Sequence, residues 1–309
     1  MLGDGILRIL LIVNSAASSV TARRRVLIHQ ALSAEHDVST AETSRRGHAT
    51  RLAQSAARDG YDVVAVLGGD GTLNEAANGL AGSTTALAPL PGGSTNVFAR
   101  ILGLPDDSLE ATEVIIDALR RGAVKRIGLG AVEGRYFLFH CGVGFDAAVV
   151  EQVEKRGPWK RWAGHPLFIY AAIDTWFRHF DRRNPPIRVL DPHGSHLATG
   201  FFTVVMNANP YTYLGSRPFD LVEDAALDQP LAVVTLEKLS LPTLTPVVLS
   251  ALTGRDIRQR RSVDVRTGVR SLVIEADPPI PYQVDGDHIG ASRRLRFTWT
   301  ANHMWLVMP

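Results

Sequence analysis

Residues 66–75 read VLGGDGTLNE. An apolar run of strand length, residues 62–67, ends on Gly68-Gly69-Asp70-Gly71-Thr72, and a helix is expected over residues 73–80. A turn needs one or two glycines for its positive dihedrals. Three, interleaved with a carboxylate and a hydroxyl, imply that something comes very close to the backbone there. A second turn of the same kind follows the next apolar run. Residues 86–90 lead into Pro91-Gly92-Gly93-Ser94-Thr95-Asn96 and a short helix through Ile101.

Working outward, residues 6–13 read as a strand and 21–34 as a helix, with Val26, Leu27, Ala31 and Leu32 at helical spacing. Residues 36–40 form a short strand, and 48–59 a helix that stops at Gly60. Asp107-Ser108-Leu109-Glu110 supplies an N-cap and a first-turn acid for a helix ending at Arg120-Arg121-Gly122. Strands alternating with helices in this way predict an α/β domain with a parallel sheet. Ligands of such sheets gather outside the carboxyl ends of the strands. Glycines at that edge let backbone N–H groups reach phosphate oxygens, and the following helix points its positive end at them. Thr72 and Ser94 add hydroxyls. Asp70 would repel a phosphate unless a divalent cation lay between them. The pattern therefore points to a Mg²⁺–nucleotide site, with Asp70 as a metal-side carboxylate.

Other phosphate-binding patterns are absent. A P-loop needs a Gly-Lys pair, which occurs nowhere in the chain. The nearest approach to a dinucleotide fingerprint, Gly142-Val143-Gly144-Phe145-Asp146-Ala147, lies in a β-rich region. After about residue 125 the pattern changes. Residues 127–132, 135–143, 187–190, 201–208, 231–236, 262–266 and 271–276 read as strands, and only 164–180 and 242–253 as helices. Residues 294–300 and 304–307 close the chain as strands. The expected organisation is an α/β nucleotide-binding domain over 1–126 and a β-rich, mostly antiparallel acceptor domain over 127–293. Residues 294–309 are expected to return to the first domain, and the active site to lie in the cleft between the two lobes.

With 45% hydrophobic and 21% charged residues and a net charge of +2, the chain carries no bulk electrostatic case for nucleic acid. The single cysteine, Cys141, excludes an internal disulfide and a multi-cysteine metal site, and a cytoplasmic protein is expected. The opening MLGDGILRILLIVN is broken by Asp4 and Arg8 and reads as a strand rather than a signal peptide. No run approaches the roughly 18 uncharged apolar residues that span a bilayer. Residues 156–180 hold Trp159, Trp162 and Trp176 among Arg156, Lys160, Arg161 and Arg178. That stretch suits either a peripheral membrane-docking face or a packed core edged with solvated arginines.

GGDGTLNEAANGL, followed about twenty residues later by LPGGSTNVFARILGLP, closely resembles the diacylglycerol kinase catalytic-domain family. That family includes bacterial lipid kinases and sphingosine kinases and is distantly related to NAD kinases. The likeness continues through GRYFLFHCGVGFDAAV, PYTYLGSRPF and VDGD, and so covers almost the whole chain. It implies a two-domain fold, α/β then β-rich, and ATP-dependent phosphorylation of a lipid hydroxyl, with diacylglycerol the first acceptor and sphingoid bases, ceramide or NAD the alternatives. A silent nucleotide- or lipid-binding protein is the rival of another class.

By the same resemblance, the nucleotide side uses Asn14, Ser15, Thr43, Gly69, Asp70, Gly71, Thr72, Leu73, Asn74, Glu75 and Ser94. The family's proton acceptor is the glutamate of an Asp-Gly-Glu triplet. Here the triplet is Asp285-Gly286-Asp287, which assigns Asp287 as base and Asp285 as its partner with the roles exchangeable; unassisted, the same three residues also read as an ordinary turn. Asp228 falls in the family's structural metal site, where Gln229 replaces a second acid. Asn14-Ser15 stands where the family usually has Asn-Pro, and Val97 where many relatives carry aspartate. Expected partners are a lipid substrate and the membrane surface. A homodimer is possible.

Overall fold

The computed structural model describes residues 5–144, residue 147 and residues 185–309. The expected helix over 164–180 and the three tryptophans Trp159, Trp162 and Trp176 lie outside the described residues. The chain divides into two compact units, Met1–Leu129 with Ala301–Pro309, and Gly130–Thr300.

In the first unit, β1 (Arg8–Val13), β3 (Val63–Gly68) and β4 (Ala86–Pro91) are almost continuously buried. Strands covered on both faces read as such apolar runs. They pair in parallel in the order β4-β3-β1-β2, with β2 (Asp37–Glu42) exposed at the edge. Beyond β4, the end of the last strand, β16 (Asp287–Val307), adds a further parallel partner, with Trp305 opposite Ala86. Alternate strand residues, Ile9, Leu11, Val63, Leu67, Ala88 and Leu90, share a core with Ile28 of α1 (Ala22–Ser33) and Ile115 of α5 (Ser108–Arg120).

Helices α2 (His48–Arg58) and α3 (Asp70–Leu80) pack together through small residues, with Ala49, Ala53, Ala76 and Ala77 buried. A Cβ on Gly79 would lie 2.5 Å from the Thr50 carbonyl oxygen. The two helices are therefore as close as their backbones permit. The short α4 (Val97–Ile101) follows the second glycine turn. Helix α3 starts at Asp70, three residues earlier than its apolar pattern suggests, so Gly71 and Thr72 occupy its first turn.

The second unit is mostly antiparallel. Its central order is β14 (Val263–Val269), β13 (Leu231–Leu236), β10 (Phe202–Met206), β7 (His140–Gly144), β15 (Ser271–Val284) and β16. The pairs β8 (Ile187–Leu190) with β9 (His196–Gly200) and β5 (Val124–Val132) with β6 (Arg135–Phe137) join it. A separate hairpin is formed by β11 (Thr212–Leu214) and β12 (Arg217–Phe219). Helix α6 (Leu241–Thr253) ends on Gly254, which has φ 63°. Three expectations change. Residues 135–143 form two strands rather than one, and β15 continues to Val284. The two closing strands are one strand of 21 residues.

Candidate active site

Leaving β1, the chain goes to one side to make β2; leaving β2, it crosses back to make β3 on the other side of β1. Between the carboxyl ends of β1 and β3 the topology therefore switches direction, and open parallel sheets bind ligands at that crevice. Asn14, the first residue after β1, donates from Nδ2 to Thr72 Oγ1 at 2.8 Å, and its own N–H binds the Leu67 carbonyl at 3.0 Å. The turn after β1 and the first turn of α3 are thus tied together across the switch point.

The glycines have an immediate structural reason. Gly92 N–H donates to the Gly68 carbonyl at 2.9 Å. A Cβ on Gly93 would sit 2.8 Å from Gly69 Cα, and one on Gly92 would sit 2.9 Å from Gly68 N. Among the described residues, the other glycine turn lies directly against the GGDGT backbone. Asn96, with φ 48°, fastens that second turn by accepting from Gly93 N–H at 2.8 Å and donating to the Gly93 carbonyl at 3.1 Å.

Asp70 completes the joint. Its Oδ2 accepts from Val97 N–H and its Oδ1 from Phe98 N–H, each at 3.0 Å. It caps α4, which has no cap from its own Asn96. Glu75 does the same for α2. Its two oxygens accept from Gly47 N–H at 2.7 Å and Ala49 N–H at 3.1 Å. Each carboxylate meets the positive end of a helix and satisfies amides that have no partner within that helix.

The expected nucleotide residues therefore sort into groups. Asn14, Gly69, Asp70, Gly71 and Thr72 gather at the switch point, and Ser94 is exposed on the neighbouring turn. Ser15 donates to Glu42 Oε2 at 2.7 Å, and Glu42 also pairs with Arg25. Thr43 N–H binds the Val13 carbonyl at 2.9 Å, at the far side of β1. Leu73 and Asn74 are buried in α3, so their side chains serve the fold, and Glu75 serves α2. Helix α3 has no side-chain cap at Gly69, and its start lies at the strands' carboxyl edge, an arrangement suited to an anion.

In the second unit, Asp285 (φ 47°) and Gly286 (φ 82°) form the two-residue loop of the β15–β16 hairpin, with Val284 opposite Asp287. Two positive φ values are what such tight hairpins require, and Asp-Gly is a favoured pair. Asp285 is 3% exposed. Its Oδ2 accepts from Leu138 N–H at 2.8 Å, and its Oδ1 from Phe139 and His140 N–H at 3.0 and 3.1 Å. These bonds fall between β6 and β7 and account for the split strand. They also set the two acids apart by environment. Asp285 is a buried anchor, whereas Asp287 is half-buried at the start of β16.

His140 carries no mark of a site residue in the sequence. Its ring is buried between Phe139 and Tyr211, with centroids 4.8 and 4.4 Å away, and its Nδ1 has no hydrogen-bond partner. Burial pushes its pKa down to about 3, which keeps the imidazole neutral. The apolar neighbours Phe139 and Cys141 hid it in an apparent core strand.

For a divalent cation the donors are few. Among the described residues no group of three or more His, Cys, Asp or Glu could hold a metal. Both Asp70 oxygens already accept amides, and Asp228 is exposed in the loop before β13. Neither Asp70 nor Asp228 thus belongs to a cluster of three such side chains among the described residues.

The model of the diacylglycerol kinase catalytic domain matches residues 8–132. A diacylglycerol kinase of Bacillus subtilis (strain 168) is 40% identical over 282 residues, covering 89% of this chain and 87% of that protein. One from Staphylococcus haemolyticus (strain JCSC1435) is 27% identical, covering 89% and 80%. The crystal structure of a diacylglycerol kinase from Bacillus anthracis str. Sterne superimposes with a TM-score of 0.72 at 20% identity, covering 98% of this chain and 97% of that one. An NAD kinase from Archaeoglobus fulgidus, solved in complex with ATP, gives a TM-score of 0.51 at 10% identity, covering 97% and 93%.

Proposed function

This chain belongs to the diacylglycerol kinase family and is a phosphotransferase of lipid-kinase type, and on that premise we propose that it moves the γ-phosphate of ATP to the free hydroxyl of diacylglycerol. The observation that carries the reading is the 40% identity to a diacylglycerol kinase over nearly the full length of both chains.

The turns after β1, β3 and β4 receive the phosphates of ATP, with the amides at the start of α3 and the Ser94 hydroxyl as donors. A divalent cation such as Mg²⁺, held mainly by the triphosphate itself, would offset part of its charge. Asp287 accepts the hydroxyl proton. The lipid oxygen bonds to the γ-phosphorus, and the bond from that phosphorus to the β–γ bridging oxygen breaks. ADP leaves with the electron pair. Phosphoryl transfer asks mainly for position and charge stabilisation, which suits a site built largely of backbone amides.

Asp287 is favoured over Asp285 because a base must reach its substrate. Asp285 is buried and already accepts three amides. The test is transfer of labelled phosphate from ATP to diacylglycerol, monoacylglycerol, ceramide and a sphingoid base in mixed micelles, and to NAD in solution. Preferential labelling of diacylglycerol supports the reading. Preference for another acceptor replaces the substrate, and ATP binding without any transfer replaces the enzyme with a silent binding protein.

A further inference from the structure

Helix α6 (Leu241–Thr253) carries no charged residue over its 13 positions. Its inner side is settled, since Val247, Ser250 and Ala251 are buried and Leu244 packs beside them. Leu241, Thr245, Val248 and Leu249 are exposed at spacings of four, three and one, which places them on one outward stripe. Leu241 is 64% and Leu249 55% exposed. Single exposed aliphatic residues are ordinary, but a stripe of them on an uncharged helix calls for a cover. Directly after the helix, residues 254–261 hold four arginines and one aspartate. Arg255, Arg258 and Arg261 are exposed, and Arg258 pairs with Asp224. Helix α6 is joined to the β11–β12 hairpin segment by a bond from Asp220 N–H to the Ala251 carbonyl at 2.9 Å, and the hairpin tip exposes Leu214 and Arg217.

We infer that α6 is an interfacial helix, which lays its Leu241–Leu249 stripe into the headgroup boundary of an anionic phospholipid bilayer while Arg255 and Arg261 bind the headgroups. The inference rests on the lipid-kinase reading, because a substrate with acyl chains resides in a bilayer. Aliphatic residues in the plane with arginines beside them are the composition such a surface takes. A second copy of the chain is the poorer fit. The stripe holds no carboxylate, so two copies meeting through it bring nothing from that stripe to their arginines, whereas anionic lipids do.

The test uses full-length protein and sedimentation with vesicles of phosphatidylcholine alone or with phosphatidylglycerol, without nucleotide or diacylglycerol. Wild type is expected to bind only the anionic vesicles. Leu241→Gln/Leu249→Gln should weaken that binding about tenfold or more. Arg255→Gln/Arg261→Gln should weaken it and flatten its salt dependence. Both variants should keep the wild-type melting temperature and the wild-type rate on a water-soluble short-chain diacylglycerol. The inference is overturned if wild type ignores anionic vesicles, or if the leucine variant binds them as wild type does. It is also overturned if that variant instead dissociates a dimer, which assigns the stripe to a second copy. Vesicle binding that follows these predictions without transfer to any lipid would remove the kinase reading and leave the docking surface standing.

Discussion

Asp70, the first residue of α3, accepts the backbone N–H of Phe98 at 3.0 Å, and with its other oxygen that of Val97. One carboxylate thereby links the two glycine turns, and the acid that looks like a metal ligand in the sequence is also the cap of α4. Asp70→Asn keeps one acceptor and loses the charge. It should lower stability by about 1–2 kcal/mol, the scale of a lost charged hydrogen bond at a helix start. It should also raise KM for ATP by separating the turns. Chemical denaturation and ATP titration read the two effects, and an unchanged melting curve would count against the cap.

Gly93→Ala tests the joint between the turns. Its Cβ would meet Gly69 Cα at 2.8 Å, a backbone atom that cannot step aside alone. A loss of about 1–3 kcal/mol is expected from such overpacking, together with weaker ATP binding. Gly5→Ala, with nothing within 4 Å, is the control and should be close to neutral.

The two acids of the β15–β16 hairpin should separate cleanly. Asp285→Ala strands the amides of Leu138, Phe139 and His140 and should cost about 3 kcal/mol or more, at about 1–3 kcal/mol for each buried group left without a partner. Asp287→Ala, at a half-buried position, should cost clearly less than Asp285→Ala. Equal destabilisation by both would contradict the division into anchor and base.

His140 should make stability depend on pH. Its folded pKa of about 3 lies below the ordinary 6.5. Between those values the unfolded chain binds a proton that the folded chain does not, so stability rises with pH through this window. It is lost as pH falls from about 6.5 towards 3, by up to about 1.4 kcal/mol per pH unit. His140→Phe keeps a ring against Tyr211 and should flatten that slope. Urea midpoints at about pH 4.5 and 7.5 compare the two proteins, and an identical slope would clear His140 of the effect.

The parallel sheet was legible because its strands are apolar runs stopped by glycine turns, a pattern that depends on neighbours in sequence. What stayed hidden depends on partners far along the chain. Leu138 and Phe139 continue an apolar run, and nothing near them shows that Asp285, more than 140 residues later, takes their amides and splits the strand. The β11–β12 hairpin has strands of three residues, too short for alternation to register. For the site, GGDGT and GGSTN were visible as close-approach turns, but the partner in that approach was unreadable. Likewise, no local signal reports that Glu75 caps a helix beginning at His48.

The most direct test of the central claim compares wild type with Asp287→Ala, measuring labelled phosphate transfer from ATP to diacylglycerol in mixed micelles and ATP binding in parallel. The account predicts that wild type forms the phosphorylated lipid, and that the variant binds ATP equally well but transfers phosphate at least about a hundredfold more slowly, the lower scale of lost general-base catalysis. A variant that retains the wild-type rate, or a wild type that binds ATP and labels no lipid, would contradict it.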